Sequence, residues 1–125
     1  IRNVHTRELT LEMRRATPAE FDVIVSSMTL HHVRDTGALF RQFHRALKPK
    51  GWMAVADLDT EDGRFHTDTT GVHHHGFDRE VLCDILTSEG FLHARALDAH
   101  QLMKPAADGT LRPYSIFLIT AQKQA

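Results

Sequence analysis

The sequence predicts an α/β fold in which parallel strands joined by a crossover helix are followed by an antiparallel hairpin. Three observations predict it: a short apolar strand at Phe21–Ser27, an amphipathic helix after Asp35, and a second apolar strand at 52–57. Short β-branched runs without polar alternation are typical of strands buried on both faces, so we expect helices on both sides of the first strand. A strand, helix, strand unit of this length indicates parallel strands and a right-handed crossover.

Composition narrows the class of protein and of partner. The chain of 125 residues is 42% apolar and 25% charged, as in an ordinary globular domain. Its 15 Lys and Arg against 16 Asp and Glu provide no excess of positive charge for a nucleic acid or an anionic bilayer. No apolar run approaches the roughly 20 residues that cross a bilayer. We therefore expect no nucleic acid and no membrane as partner, and the single Cys83 favours a reducing, cytoplasmic setting.

The first half of the chain reads as strand, strand and helix. Residues 3–11 alternate loosely and predict a strand, which a polar loop joins to Phe21–Ser27. Asp35 is the predicted N-cap of the helix. Its apolar stripe consists of Leu39, Phe40, Phe43, Ala46 and Leu47, and Lys48, Pro49 and Gly51 are expected to end it.

The second half predicts a long loop, a helix and a hairpin. Residues 58–76 are polar and lack periodicity, which indicates a functional loop or lid. Phe77 and Asp78 open a second helix, and Gly90 ends it in a left-handed conformation. Strands at 91–102 and 114–121 are expected to form an antiparallel hairpin with a wide loop. The predicted apolar face of the second helix comprises Val81, Leu82, Ile85 and Leu86.

Polar side chains follow the predicted parallel strands where a ligand is expected. In open α/β sheets, ligands bind outside the carboxyl ends of the strands. Three segments lie there: 10–12, 26–32 and 57–59. We expect the second and third of them to open onto one shared cleft.

The motifs at these positions resemble a known family. The segment Phe21-Asp-Val-Ile-Val-Ser-Ser-Met-Thr-Leu-His-His-Val33 is similar to the signature that follows the fourth strand of class I S-adenosylmethionine-dependent methyltransferases, the type 11 methyltransferase family. Leu47-Lys-Pro-Lys-Gly51 resembles their next turn, with Lys50 in place of a Gly, a change that we expect a type I turn to accommodate. Segments 56–59, 61–63 and 71–78 resemble a subgroup that acts on small molecules.

The resemblance implies a partial Rossmann-like methyltransferase fold. Residues 1–125 would supply strands three to seven of a seven-stranded sheet and form the C-terminal portion of a single methyltransferase domain. The N-terminal half of that domain, with its glycine-rich loop, would be absent, because no two of the 7 glycines are separated by a single residue. We therefore expect residues 1–125 alone to be inactive.

The resemblance also implies a cofactor and its contacts. S-adenosylmethionine would be the methyl donor in the intact enzyme, and a small molecule the acceptor. Leu9, Thr10 and Leu11 would border the adenine, although Thr10 stands where the family usually has an acid. Ser26, Ser27 and Met28 would flank the methionine portion.

Four side chains are candidate catalytic groups. Holding a nucleophile close and aligned can contribute about 7 to 11 kcal/mol to methyl transfer, so a base is needed only for some acceptors. His31, Asp57, Asp59 and His74 lie on the predicted carboxyl side of the sheet, where they could orient or deprotonate an acceptor. One imidazole of the pair His31 and His32 could instead be structural, Ser26 and Ser27 could merely end a strand, and Cys83 is expected to be an inert thiol.

Two further hypotheses come from other classes of protein. Among the 10 histidines, His73 and His75 point to one side of an extended backbone and could form a zinc or nickel site with His66 or Asp68, as in a metal-binding protein. Alternatively, without the family's central first strand beside it, the strand Phe21–Ser27 would be an exposed apolar edge of the sheet. The chain could then form a homodimer through this edge as a non-catalytic module.

Overall fold

The parallel pair at the centre of the prediction is present in the computed structural model, which describes residues 3–5, 19–63, 65–66, 68–105 and 108–125. The register of the pair runs from Val23 opposite Trp52 to Ser27 opposite Ala56. The elements in chain order are β1 (Phe21–Ser27), a 3₁₀ turn (Leu30–His32), α1 (Thr36–Ala46), β2 (Leu47–Leu58), α2 (Arg79–Ser88), β3 (Phe91–Pro105) and β4 (Leu111–Lys123).

The described strands form one four-stranded sheet of order β1-β2-β4-β3. β1 and β2 are parallel, whereas β4 is antiparallel to both β2 and β3. The predicted crossover unit and the predicted C-terminal hairpin are therefore both confirmed, although the hairpin strands are longer than expected. Residues 3–5 are not in a strand, and the rest of the strand predicted at 3–11 lies outside the described residues.

The helix α1 begins as predicted and ends earlier. The Asp35 carboxylate accepts a hydrogen bond from the Ala38 N–H at 3.0 Å, which caps the first turn. Leu47 is already extended, with φ −78° and ψ 141°. Lys48 precedes Pro49, and a residue before proline is held out of the helical region, so the chain enters β2 at Leu47 instead of at Trp52.

The expectation of a type I turn at Lys50 was wrong. Its φ is +67°, in the left-handed region that a type I turn does not contain. The next residue also demands glycine, because a Cβ on Gly51 would lie 2.9 Å from the Lys48 carbonyl oxygen and 3.0 Å from that of Asp22. The chain therefore turns tightly at Lys50 and passes close to β1.

The helix α2 is capped by Asp78, whose carboxylate accepts from the Val81 N–H at 3.1 Å. Leu82 and Leu86 are buried, but Val81 is 54% exposed, so its predicted place on the apolar face was wrong. Successive helical residues are rotated by about 100°, and Val81 falls off the stripe that Leu82 and Leu86 define one turn apart. Gly90 has φ +96° and ends the helix as predicted.

Both helices contribute to a single core on one face of the sheet. The expectation of helices on both faces of β1 is not met within the described residues, where Val23 is 58% and Val25 73% exposed. The reason is that α1 and α2 pack on the same face. The core brings together Phe40, Leu82, Leu86, Met53, Val55, Phe117 and Ile119, among others. In the described part of the chain, no helix has the length and apolar character that crossing a bilayer requires.

Candidate functional site

The carboxyl ends of β1 and β2 lie side by side, as the sequence predicted. The Met28 N–H donates to the Ala56 carbonyl at 2.9 Å, one residue beyond β1. Met28 has φ +54°, a left-handed conformation that costs a residue with a Cβ about 1–2 kcal/mol. This turn directs the chain into the 3₁₀ turn and brings His31 back over the end of β2.

His31 and Asp57 form a buried pair at this edge. His31 Nδ1 lies 2.7 Å from Asp57 Oδ1, and the two residues are 2% and 0% exposed. A carboxylate only accepts hydrogen bonds, so Nδ1 of the neutral imidazole carries the ring proton. Nε2 is then the ring nitrogen whose lone pair can accept a hydrogen bond. The pair thus fixes the tautomer and the orientation of the imidazole.

Asp57 is held by backbone as well as by His31. Its Oδ2 accepts from the His31 N–H at 3.0 Å, and its Oδ1 also accepts from the Leu58 N–H at 2.7 Å. Burying a carboxylate is costly unless donors compensate for the lost water. Because both oxygens are engaged, Asp57 is placed to position His31, a role that sequence reasoning could not separate from that of a base.

Asp59 is engaged by Arg79. The guanidinium Nε and Nη2 lie 2.7 and 2.8 Å from its two carboxylate oxygens, and Arg79 Nη2 also lies 2.8 Å from Asp98. These hydrogen bonds lower the pKa of the Asp59 carboxyl, since they stabilise its charged form against the opposing effect of burial. Asp59 is therefore a weak base that links β2 to α2.

The histidine-rich loop folds back onto the turn after β1. The His73 and His74 N–H groups point to the His31 carbonyl at 2.9 and 3.3 Å. His32 Nδ1 lies 2.9 Å from the Gly71 carbonyl. His74 Nε2 lies 2.9 Å from the Val33 carbonyl, to which it must donate. We call this set the histidine clasp: His31, His32 and Val33 on one side, and Gly71, His73 and His74 on the other.

His74 has a structural role in the histidine clasp, because its Nε2 donates to the Val33 carbonyl. Its ring also packs on Phe77, with centroids 4.8 Å apart. The expectation that one of the paired histidines has a structural role also fits His32, which holds Gly71. The loop predicted at 58–76 is thus tied to the site by its backbone and its imidazoles.

His66 completes a group of three imidazoles. Its ring centroid lies 4.8 Å from that of His31 and 6.1 Å from that of His32. Its Nε2 is buried and finds no hydrogen-bond partner in the described ranges. Burial lowers the pKa of His66, and the neighbouring imidazole of His31 lowers it further. This imidazole is therefore disposed to be neutral.

The structure does not gather the proposed metal ligands. No group of three His, Cys, Asp or Glu side chains disposed to hold a metal occurs among the described residues. His75 Nδ1 instead lies 3.4 Å from Glu61 Oε1. The Asp68 carboxylate accepts from the Thr70 N–H at 2.9 Å. His66, His73 and His75 thus have separate surroundings.

Glu61 and Tyr114 were not predicted as site residues. The Glu61 Oε2 accepts from the N–H groups of Gly63 and Phe65 at 3.0 and 3.1 Å. Its Oε1 and the Tyr114 hydroxyl are buried and make no hydrogen bond to any described residue. A buried polar atom left unpaired costs about 1–3 kcal/mol. No sequence motif marks these two residues, because the loop and β4 approach each other only in the folded chain.

The remaining candidates lie at the same edge or outside the described residues. Ser27 is exposed and Ser26 half-buried at the end of β1, while the Met28 side chain packs toward a small cluster of Leu58, Phe65 and Tyr114. Leu9, Thr10 and Leu11 lie outside the described residues. Burial raises the pKa of the Cys83 thiol, with a contribution from Asp84, as expected for an unreactive cysteine.

The family model described as a methyltransferase domain matches residues 1–107, so the chain belongs to the methyltransferase-domain family. An uncharacterised methyltransferase of Schizosaccharomyces pombe is 42% identical over 64 residues, which are 46% of this chain and 22% of that protein. Phosphoethanolamine N-methyltransferase 1 of Zea mays is 33% identical over 82 residues, which are 62% of this chain and 16% of that protein.

A solved structure shows the same fold. Haemonchus contortus phosphoethanolamine N-methyltransferase 2, in complex with phosphomonomethylethanolamine and S-adenosylhomocysteine, superposes with a TM-score of 0.65 at 17% identity. The superposition covers 86% of this chain and 35% of that one. The chain thus spans about a third of that structure and a smaller share of the two relatives. The predicted α/β methyltransferase fold is confirmed.

Proposed function

We propose that this chain is the C-terminal portion of the catalytic domain of an enzyme that transfers a methyl group from S-adenosylmethionine to a small-molecule acceptor. The observation that carries the proposal is the His31–Asp57 pair, buried where the carboxyl ends of two parallel strands meet. Family membership gives the reaction class. Acceptor and donor would meet at this edge, since ligands of open α/β sheets bind outside the carboxyl ends of the strands.

The described residues fit one side of a donor site. Ser26 and Ser27 end β1, and the left-handed Met28 turns the backbone away from the sheet directly after them. We propose that Ser26, Ser27 and Met28 flank the methionine portion of the donor, and that Leu9, Thr10 and Leu11 border its adenine. When bound, S-adenosylmethionine would supply an electrophilic methyl group to a nucleophile held in line with it.

We propose His31 as the general base for those methyl acceptors that must lose a proton. Asp57 fixes the Nδ1–H tautomer, which leaves Nε2 as the basic atom. Asp57 itself is proposed as a positioning residue. Asp59 and His74 are less suited to proton transfer, because Asp59 is bonded to Arg79 and His74 donates to the Val33 carbonyl.

Binding of S-adenosylhomocysteine, measured by calorimetry, tests the donor site. We expect a polypeptide that carries this chain together with a glycine-rich first half to bind one equivalent, and residues 1–125 alone not to bind. Substitution of Ser27 by a bulky Leu should weaken binding at least about tenfold, and substitution of the exposed Glu80 by Gln should not. If the longer polypeptide takes up no S-adenosylhomocysteine, the proposal is wrong.

The role of His31 is tested with the longer polypeptide, by measuring the transfer of labelled methyl groups to a panel of small methyl acceptors. We expect His31→Asn to lower kcat about 10²- to 10⁴-fold for acceptors that must lose a proton, with little change in donor affinity. A variant with unchanged kcat would show that His31 is structural.

Association through β1 remains a proposal. The strand lies at the edge of the described sheet and leaves Val23 and Val25 exposed. Edges of this kind pair with other chains. Sedimentation of residues 1–125 should show a dimer that Val25→Lys dissociates, and a monomer at all concentrations would refute the proposal.

A further inference from the structure

The loop that joins β2 to α2 covers His31. We call its described residues 65–66 and 68–74 the covering segment. The His66 ring of this segment lies 4.8 Å from the His31 ring, measured between centroids, and the His73 N–H donates to the His31 carbonyl at 2.9 Å. The His31 side chain is 2% exposed. A base must come within hydrogen-bond reach of the proton that it removes, so His31 cannot act on a methyl acceptor while it is covered.

The base of this loop is fixed independently of the covering segment. The Phe77 N–H donates to the Leu58 carbonyl at 2.9 Å, and the Glu61 N–H donates to the His75 carbonyl at 3.0 Å. These two backbone hydrogen bonds bring the two ends of the loop together. The covering segment can therefore move away from His31 while β2 and α2 keep their positions.

Two kinds of contact hold the covering segment in place. The histidine clasp supplies hydrogen bonds, among them the one from His74 Nε2 to the Val33 carbonyl at 2.9 Å. Phe65 supplies apolar contact, since it is 7% exposed and packs with Leu58 and Tyr114. Hydrogen bonding and apolar burial both favour the covered position.

The covered position also has a cost. His66 Nε2 and the Tyr114 hydroxyl are buried and make no hydrogen bond within the described part of the chain. His66 belongs to the covering segment, and the Tyr114 ring lies beneath it, 5.0 Å from the ring of Phe65. Water would satisfy both atoms if the segment moved away, so their desolvation opposes the contacts that hold it. The covered and uncovered positions are therefore closer in free energy than the favourable contacts alone would make them.

We propose that the covering segment is a lid, fastened by the histidine clasp, which opens to let a methyl acceptor reach His31. The inference rests on the proposed role of His31 as general base. In the closed position the lid keeps water away from the His31–Asp57 pair. In the open position it exposes His31 Nε2 and lets water reach His66 Nε2 and the Tyr114 hydroxyl.

The opening of the lid is measured with diethyl pyrocarbonate, which acylates the unprotonated nitrogen of an accessible imidazole. Brief treatment of the intact protein near neutral pH, followed by mass spectrometry of its peptides, gives a rate for each histidine. In the wild type we expect His31 to react at least about tenfold more slowly than the exposed His100.

A variant of the clasp should speed this reaction. His74→Phe retains an aromatic ring against Phe77 and removes the donor to the Val33 carbonyl. The rate at His31 should rise about three- to tenfold, because loss of one hydrogen bond increases the open population by about that factor. The matched control is His73→Phe, which changes an exposed side chain and keeps the backbone N–H of the clasp, so the rate at His31 should not change.

Urea distinguishes movement of the lid from unfolding of the whole chain. Local opening exposes little surface, so the wild-type rate at His31 should stay constant at urea concentrations below the unfolding transition. Reaction through global unfolding would instead become faster from the lowest urea concentrations. If His74→Phe does not fold, the urea dependence of the wild type decides alone.

Three results would overturn the lid: equal rates at His31 in the wild type and in His74→Phe, a rate at His31 that increases with urea throughout, or a wild-type His31 that reacts as fast as His100. The measurement needs no methyl donor and no acceptor, so it is independent of the test of the base. An unchanged kcat in His31→Asn beside the expected acylation rates would refute only the role of His31 as base, and the reverse result would refute only the lid.

Discussion

His31 Nδ1 and Asp57 Oδ1 lie 2.7 Å apart in a buried site, although the two residues are separated by 26 positions in the chain. The contact joins the turn after β1 to the end of β2. The contact also explains why two buried polar side chains at the carboxyl ends of these strands need not destabilise the fold, because each is the hydrogen-bond partner of the other.

Asp57→Ala should lower the free energy of unfolding by about 3–5 kcal/mol, because it leaves the His31 imidazole and two backbone N–H groups buried without an acceptor. Urea denaturation followed by circular dichroism measures the change. Asp22→Ala, at a largely exposed carboxylate, should cost less than about 0.5 kcal/mol. Equal midpoints for the two variants would mean that the buried pair does not stabilise the fold.

Lys50→Gly should stabilise the protein by about 1 kcal/mol, because Lys50 has φ +67° and glycine adopts this conformation without a Cβ clash. The matched control is Lys48→Gly, two positions earlier and not in the left-handed region, which should destabilise by about 0.5–1 kcal/mol. Both are read as shifts of the denaturation midpoint. A loss of stability in Lys50→Gly would contradict the turn described here.

Comparison of Gly76→Ala with Gly109→Ala separates the cost of a left-handed backbone from the cost of steric overlap with a neighbouring segment. Both glycines have positive φ, +77° and +85°, so an alanine at either should cost about 1–2 kcal/mol. A Cβ on Gly76 would also overlap the Asp59 carbonyl, whereas one on Gly109 meets no described atom within 4 Å. Gly76→Ala should therefore cost a further 1–3 kcal/mol or so. Thermal unfolding that ranks the two variants equally would exclude the close approach of the loop to β2.

His66 should make stability depend on pH. Its folded-state pKa lies below the ordinary value of 6.5, because it is buried beside His31. As the pH falls through 6.5, the unfolded chain binds a proton before the folded chain does, so the free energy of unfolding decreases. His66→Gln should flatten this decrease between pH 7 and pH 5. Parallel curves for His66→Gln and the wild type would contradict the assignment.

The sequence was sufficient for the parallel pair and for the Asp35 cap because local signals determine them. The Asp35 carboxylate is a typical capping group. The apolar runs within β1 and β2 have no alternation, so their pairing could be predicted. Lys48 and Pro49 predict the end of a helix, but the residue before a proline already favours an extended backbone. That local preference moved the start of β2 to Leu47.

The candidate site was predictable only in part. His31, Asp57 and Asp59 were placed at the correct edge by topology, but their partners depend on side-chain geometry that no pattern encodes. Asp59 and Asp57 stand two positions apart on the same chain, yet Arg79 binds one and His31 the other. Glu61 and Tyr114 left no sequence signal, because their relationship is created by the return of β4 past the loop.

The strand order has a consequence for the route of folding. β4 follows β3 in the chain but lies between β3 and β2, so the hairpin can pair through a short connection while the pairing of Trp52 with Gln122 must close a long one. Closure of a longer loop costs more entropy, and contacts distant in sequence form more slowly. We therefore expect the hairpin to assemble first and to dock onto β2 afterwards. Since Trp52 is the chain's single tryptophan, its fluorescence should record that late docking event.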